Sequence, residues 1–78
     1  MQTLNAIKRL QAKGWNLSDY DLDAISELIF ATKGEDTITF ANQSGKVKSN
    51  GFSIKSTSSC SETFGMNLKT ALLCAGDA

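Results

Sequence analysis

The sequence predicts a single small α+β domain with the element order α-α-β-β-β-α, in which a three-stranded antiparallel meander packs on helices. Apolar residues recur at helical spacing toward both ends of the chain. Large apolar residues alternate with polar ones between Thr37 and Ser56, and Asn50-Gly51 sits where a hairpin turn belongs. Side chains return to one face of a helix every three to four residues but alternate along a strand, so the two patterns separate the element types.

From Thr3 to Lys13, Leu4, Ile7 and Leu10 form one stripe while Lys8, Arg9 and Lys13 fall elsewhere, the pattern of a short amphipathic helix. Gly14 should stop it, and Trp15, just past a glycine C-cap, should pack back on the last turn as a core anchor. A second helix is expected from Ser18. Ser18 stands as N-cap, Asp21 occupies the capping-box position, and Leu17 with Leu22 makes a hydrophobic staple. Its stripe is Leu22, Ile25, Leu28 and Ile29, widened by Phe30 and Ala31 and closed at Lys33-Gly34.

Asn-Gly suits a type I′ turn, whose two central residues both need positive φ. That turn would pair Ser49 with Phe52, Lys48 with Ser53, Val47 with Ile54 and Lys46 with Lys55. A loop at Asn42 to Gly45 would then set Phe40 opposite Val47. One face carries Ile38, Phe40, Val47, Phe52 and Ile54; the other carries Thr39, Ala41, Lys46, Lys48, Ser53 and Lys55. Ser59 with Glu62 offers a capping box for a third helix, with Phe64, Leu68, Ala71, Leu72 and Ala75 as its stripe and Gly76 as its end. Gly65 costs such a helix about 1 kcal/mol relative to alanine, which favours a start near Met66.

At 78 residues, with 41% hydrophobic and 21% charged residues, the chain falls among ordinary globular domains of thin stability margin. Its net charge of zero argues against a surface wholly devoted to nucleic acid or anionic lipid. The charges are nevertheless segregated. Lys8, Arg9 and Lys13 are followed by Asp19, Asp21, Asp23, Glu27, Glu35 and Asp36, and then by Lys46, Lys48 and Lys55. Neither a secretory leader nor an apolar run of membrane-spanning length is legible, so a cytoplasmic location and no membrane partner are expected. Cys60 and Cys74, on one predicted helix rising about 1.5 Å per residue, would lie about 21 Å apart, beyond the reach of a disulfide.

The absence of histidine removes Ser-His-Asp and Cys-His nucleophile pairs and imidazole zinc sites. Asp19, Asp21 and Asp23 resemble the opening of a calcium-binding loop. The required glycine and bidentate glutamate are replaced by Ala24 and Phe30, so the aspartates are expected instead to favour the positive end of the second helix. A helix-turn-helix reading of Leu4 to Glu27 would carry Asp19, Asp21, Asp23 and Glu27 toward phosphates. No catalytic residue, metal or cofactor is therefore expected.

What remains is a non-catalytic binding protein, a regulator, inhibitor or adaptor of a larger macromolecular complex, of the kind that phages and mobile elements encode. Lys46, Lys48 and Lys55 form its candidate interaction surface, and Lys8, Arg9 and Lys13 a second one. The directly opposed Lys46 and Lys55 would sit more comfortably beside an anion, although lysines also protect solvent faces of sheets from aggregation. The alternatives are a nucleic-acid-binding module using the lysine-bearing sheet face and a homodimer that completes a thin core.

Overall fold

The computed structural model describes residues 1–55 and 62–75. It is an α+β domain, and among the described residues it contains two helices and five strands. In chain order these are α1 (Thr3–Ala12), β1 (Asn16–Leu17), β2 (Glu27–Lys33), β3 (Asp36–Asn42), β4 (Phe52–Lys55), β5 (Glu62–Met66) and α2 (Leu68–Cys74). The strands make one antiparallel sheet in the order β1-β2-β3-β4-β5.

The first helix forms where its periodicity places it, rotated slightly: Thr3, Ala6, Ile7 and Leu10 are buried, while Leu4 is exposed. Its end is a Schellman motif. Gly14 takes φ 87°, its N–H donates to the Gln11 carbonyl at 3.0 Å, and the Trp15 N–H donates to the Leu10 carbonyl at 3.0 Å. A side chain at that φ would be strained, which is why glycine stands there and why Trp15 is turned back into the core.

The expected second helix is not formed. Residues 18–26 are a loop, and Glu27–Lys33 is a strand whose Ile29 and Ala31 point into the core while Leu28, Phe30 and Thr32 point out. The Ser18 hydroxyl, expected to cap a helix, accepts a hydrogen bond from the Phe30 N–H at 3.1 Å, and the Ser18 N–H donates to the Phe30 carbonyl at 2.8 Å. Lys33 pairs with Asp36 across the two-residue turn Gly34-Glu35, so the glycine expected to end a helix turns a hairpin.

The meander is present with a different register. Phe40 pairs with Phe52 and Ile38 with Ile54, and the two phenylalanine rings pack with centroids 5.1 Å apart. Residues 46–49 form no strand, since Gln2 bridges to Lys46 and the Val47 N–H donates to the Met1 carbonyl at 2.9 Å. The type I′ geometry falls at Ser44-Gly45, with φ of 52° and 86°, closed by mutual hydrogen bonds between Gln43 and Lys46. Asn50-Gly51 instead ends a turn in which the Gly51 N–H donates to the Lys48 carbonyl at 2.9 Å. All five residues assigned to the apolar face are nonetheless buried.

At the C-terminal side, Glu62–Met66 is a strand where the start of a helix was expected. The helix begins at Leu68, capped by the Asn67 side chain, which accepts from the Thr70 N–H at 2.8 Å. An extra β5 residue between the pairs Ile54–Thr63 and Phe52–Met66 makes a bulge at Phe64 and Gly65. The proposed cap at Ser59, the thiol of Cys60 and the stop at Gly76 lie outside the described residues. Cys74 ends the helix that begins at Leu68.

One face of the sheet is covered. Ala6, Ile7 and Leu10 of α1 and Leu68, Ala71 and Leu72 of α2 close over Ile29, Ala31, Ile38, Phe40, Phe52 and Ile54. No helix among the described residues covers the other face.

Candidate functional site

The structure disperses the lysines assigned to one sheet face. Lys55 ends β4 opposite Thr37, at the Asp36 end of β3. Lys46 and Lys48 belong to the loop beyond Asn42, at the other end of the same strand. Six residue-to-residue steps at about 3.3 Å each separate the two ends of β3 by about 20 Å, so Lys46 and Lys55 are not opposed. The register that predicted their pairing fails because the N-terminal residues, distant in sequence, occupy the edge that the Asn50-Gly51 hairpin would have used.

The second predicted patch gains a member. Lys8 and Arg9 on α1 and Lys13 just past its end are all exposed, and Arg9 and Lys13 border a groove that Lys69 of α2 also lines. The groove has a volume of about 380 Å³ and an apolar floor of Leu72 and Leu73. At its end the Lys33 Nζ donates to the Lys13 carbonyl at 2.7 Å. Lys69 lies more than fifty residues from Arg9 in the chain, and no local sequence pattern joins them.

A third surface was not anticipated. On the open face of the sheet Leu28, Phe30 and Phe64 are 59%, 43% and 70% exposed. Phe30 pairs with Thr39 and Thr39 with Ser53, and Ser53 faces the bulge that carries Phe64, so one row across four strands begins and ends on an aromatic ring. With strands about 4.8 Å apart, the two phenylalanines stand about 14 Å from each other over a floor of Thr39 and Ser53. Leu28 pairs with Ala41 in the adjacent row. The sequence conceals this surface because Leu28 to Ala31 is a continuous apolar run, so the two faces of β2 are alike in it.

No helix follows the aspartates, and Asp21 serves the loop instead of a helix dipole. Asp21 Oδ1 accepts from the Asp23 N–H at 3.0 Å, and the Asp21 N–H donates to Glu27 Oε2 at 3.3 Å. Among the described residues no three carboxylates or thiols assemble into a set able to hold a metal ion. Behind this loop Asn42 is fully buried with every polar atom engaged. Its Oδ1 accepts from Thr3 Oγ1 at 2.7 Å and the Gly45 N–H at 3.0 Å, and its Nδ2 donates to the carbonyls of Asp21 at 3.0 Å and Leu22 at 3.3 Å.

Fold and surface together define a small α+β domain with one helix-covered sheet face and one open, aromatic-bearing face. No protein-family model, curated protein or solved structure matches the chain. Among the described residues no helix is long and apolar enough to cross a membrane.

Proposed function

We propose that the chain is a non-catalytic protein-binding domain, a regulator, inhibitor or adaptor, that docks on its partner through the open face of the sheet. The observation that carries this reading is the alignment of Leu28, Phe30 and Phe64 on that face, with the two rings at the ends of one row. Large apolar side chains grouped on one face, rather than scattered, are the usual mark of a protein contact, and aromatic residues dominate the energetics of such contacts. A nucleic-acid reading has less support here. Stacking on exposed rings needs cations grouped beside them to hold the phosphates, and Lys46 and Lys48 lie at the opposite end of β3 from Lys55 rather than grouped with it.

The test is site-specific photo-crosslinking in cells. A benzophenone side chain in place of Phe30 or Phe64 is expected to yield the same discrete protein adduct, and one in place of Lys8, exposed on α1 on the covered side of the sheet, none. Phe30→Ser with Leu28→Ser should abolish the Phe64 adduct while leaving the circular dichroism spectrum unchanged. Adducts that disappear with nuclease, or equal labelling at all three positions, would overturn the reading. An adduct of twice the chain mass would identify the partner as a second copy.

A further inference from the structure

At one end of the molecule, the loop of residues 18–26 is a rigidly held projection. Asn42 Nδ2 grips the carbonyls of Asp21 and Leu22, the Ser44 N–H donates to the Ala24 carbonyl at 2.8 Å, and the Asp23 N–H is held by Asp21 Oδ1. The projection displays Ile25 at 85% exposure, close in sequence to the exposed carboxylates of Asp19 and Asp23. The groove between α1 and α2 offers the converse: an apolar floor, with Leu73 52% exposed, between exposed Arg9, Lys13 and Lys69.

The two features cannot meet within one chain. The loop enters β2 at Glu27, whereas the groove's Lys13 is tied to Lys33 at the other end of β2. The six residue-to-residue steps from Glu27 to Lys33, at about 3.3 Å each, hold those ends about 20 Å apart.

We propose that the groove receives the acidic loop of a second copy of this chain, with Ile25 seated on Leu72 and Leu73 and the carboxylates of Asp19 and Asp23 against Arg9, Lys13 and Lys69. Apolar knob and apolar floor match, and so do the charges around them, which fixes the orientation of docking. The contact joins two different patches, so each copy presents both a loop and a groove, and copies add head to tail into an open chain or a closed ring. It is independent of the open sheet face.

Sedimentation equilibrium tests this directly. The chain should show a weight-average mass that rises with concentration at low salt. Going from about 0.05 M to about 0.5 M salt should weaken the association at least about tenfold, because the charges are exposed. Asp23→Asn with Ile25→Ser disables the loop only, and Arg9→Gln, Lys13→Gln and Lys69→Gln disable the groove only; all these side chains are exposed, so folding should be retained. Each variant alone should be monomeric, and an equimolar mixture should form a heterodimer and grow no further. Lys48→Gln and Lys55→Gln, a change of charge outside the groove and the loop's anchoring turn, should associate as the parent chain does. A parent chain that stays monomeric at low salt, variants that still self-associate, or a mixture that does not pair would each overturn the proposal. Loss of association in the Phe30→Ser, Phe64→Ser chain would instead assign self-association to the sheet face.

Discussion

Replacing Asn42 with leucine tests whether one buried amide organises the end of the molecule from which the acidic loop projects. The side chain is fully buried and makes four hydrogen bonds, to Thr3, Gly45, Asp21 and Leu22. Leucine fills similar space but strands the fully buried Thr3 hydroxyl and the Gly45 N–H, each at about 1–3 kcal/mol, and releases two carbonyls that water reaches more readily. The expected loss is about 3–5 kcal/mol. A 78-residue domain holds roughly 4–12 kcal/mol in all, so the variant should melt at least about 12 °C lower. Urea unfolding of Asn42→Leu, Thr3→Val and the double variant gives the coupling directly. Once leucine is in place, Thr3→Val removes a stranded hydroxyl, so the double variant should be more stable than the sum of single effects by about 1–2 kcal/mol. A loss below about 1 kcal/mol for Asn42→Leu, or additive singles, would refute the network.

Three further outcomes follow from backbone and packing. Ser44→Asn places the residue best suited to φ 52° ahead of Gly45 in the type I′ turn, and should raise stability by about 0.5 kcal/mol in thermal melts. Phe40→Ala removes a fully buried ring packed on Phe52 and should cost about 3–5 kcal/mol, whereas Phe64→Ser on the open face should cost under about 1 kcal/mol by the same urea measurement. Lys46→Glu and Lys55→Glu should show no coupling in a double-variant cycle, since the observed register holds them at opposite ends of β3; a coupling above about 0.5 kcal/mol would restore the Asn50-Gly51 hairpin.

What could be read from the sequence was what local physics decides. Thr3–Ala12, its Gly14 stop and the folding-back of Trp15 depend on residues within one or two turns of each other, and all three form. The alternation of Ile38, Phe40, Phe52 and Ile54 marks the buried face correctly because burial, not pairing, sets that pattern. Register failed where a remote segment intervened: Met1 and Gln2 bind Val47 and Lys46, and no propensity at Asn50-Gly51 reports on them. The strand Glu27–Lys33 was misread as a helix for a different reason. Leu28, Ile29, Phe30 and Ala31 are a continuous apolar run, and such a run has no periodicity to distinguish a strand with two apolar faces from a buried helix. The groove was half visible: Arg9 and Lys13 were singled out, but Lys69 joins them only through the packing of α2.

That misread run also bears on function. Two helices of ten and seven residues are enough to cover one face of a five-stranded sheet, and they do so with the whole buried cluster. An open face under no other demand would be expected to carry threonine, serine and charge, as Thr32, Thr37, Thr39, Ser53 and Lys55 do here. Leu28, Phe30 and Phe64 depart from that pattern while keeping 59%, 43% and 70% of their surface exposed, and exposed apolar groups of this kind raise the risk of aggregation. Polar replacements at these positions should therefore leave folding intact and improve solubility. If both outcomes are observed, they support the proposed docking role of this face over a structural role for Leu28, Phe30 and Phe64.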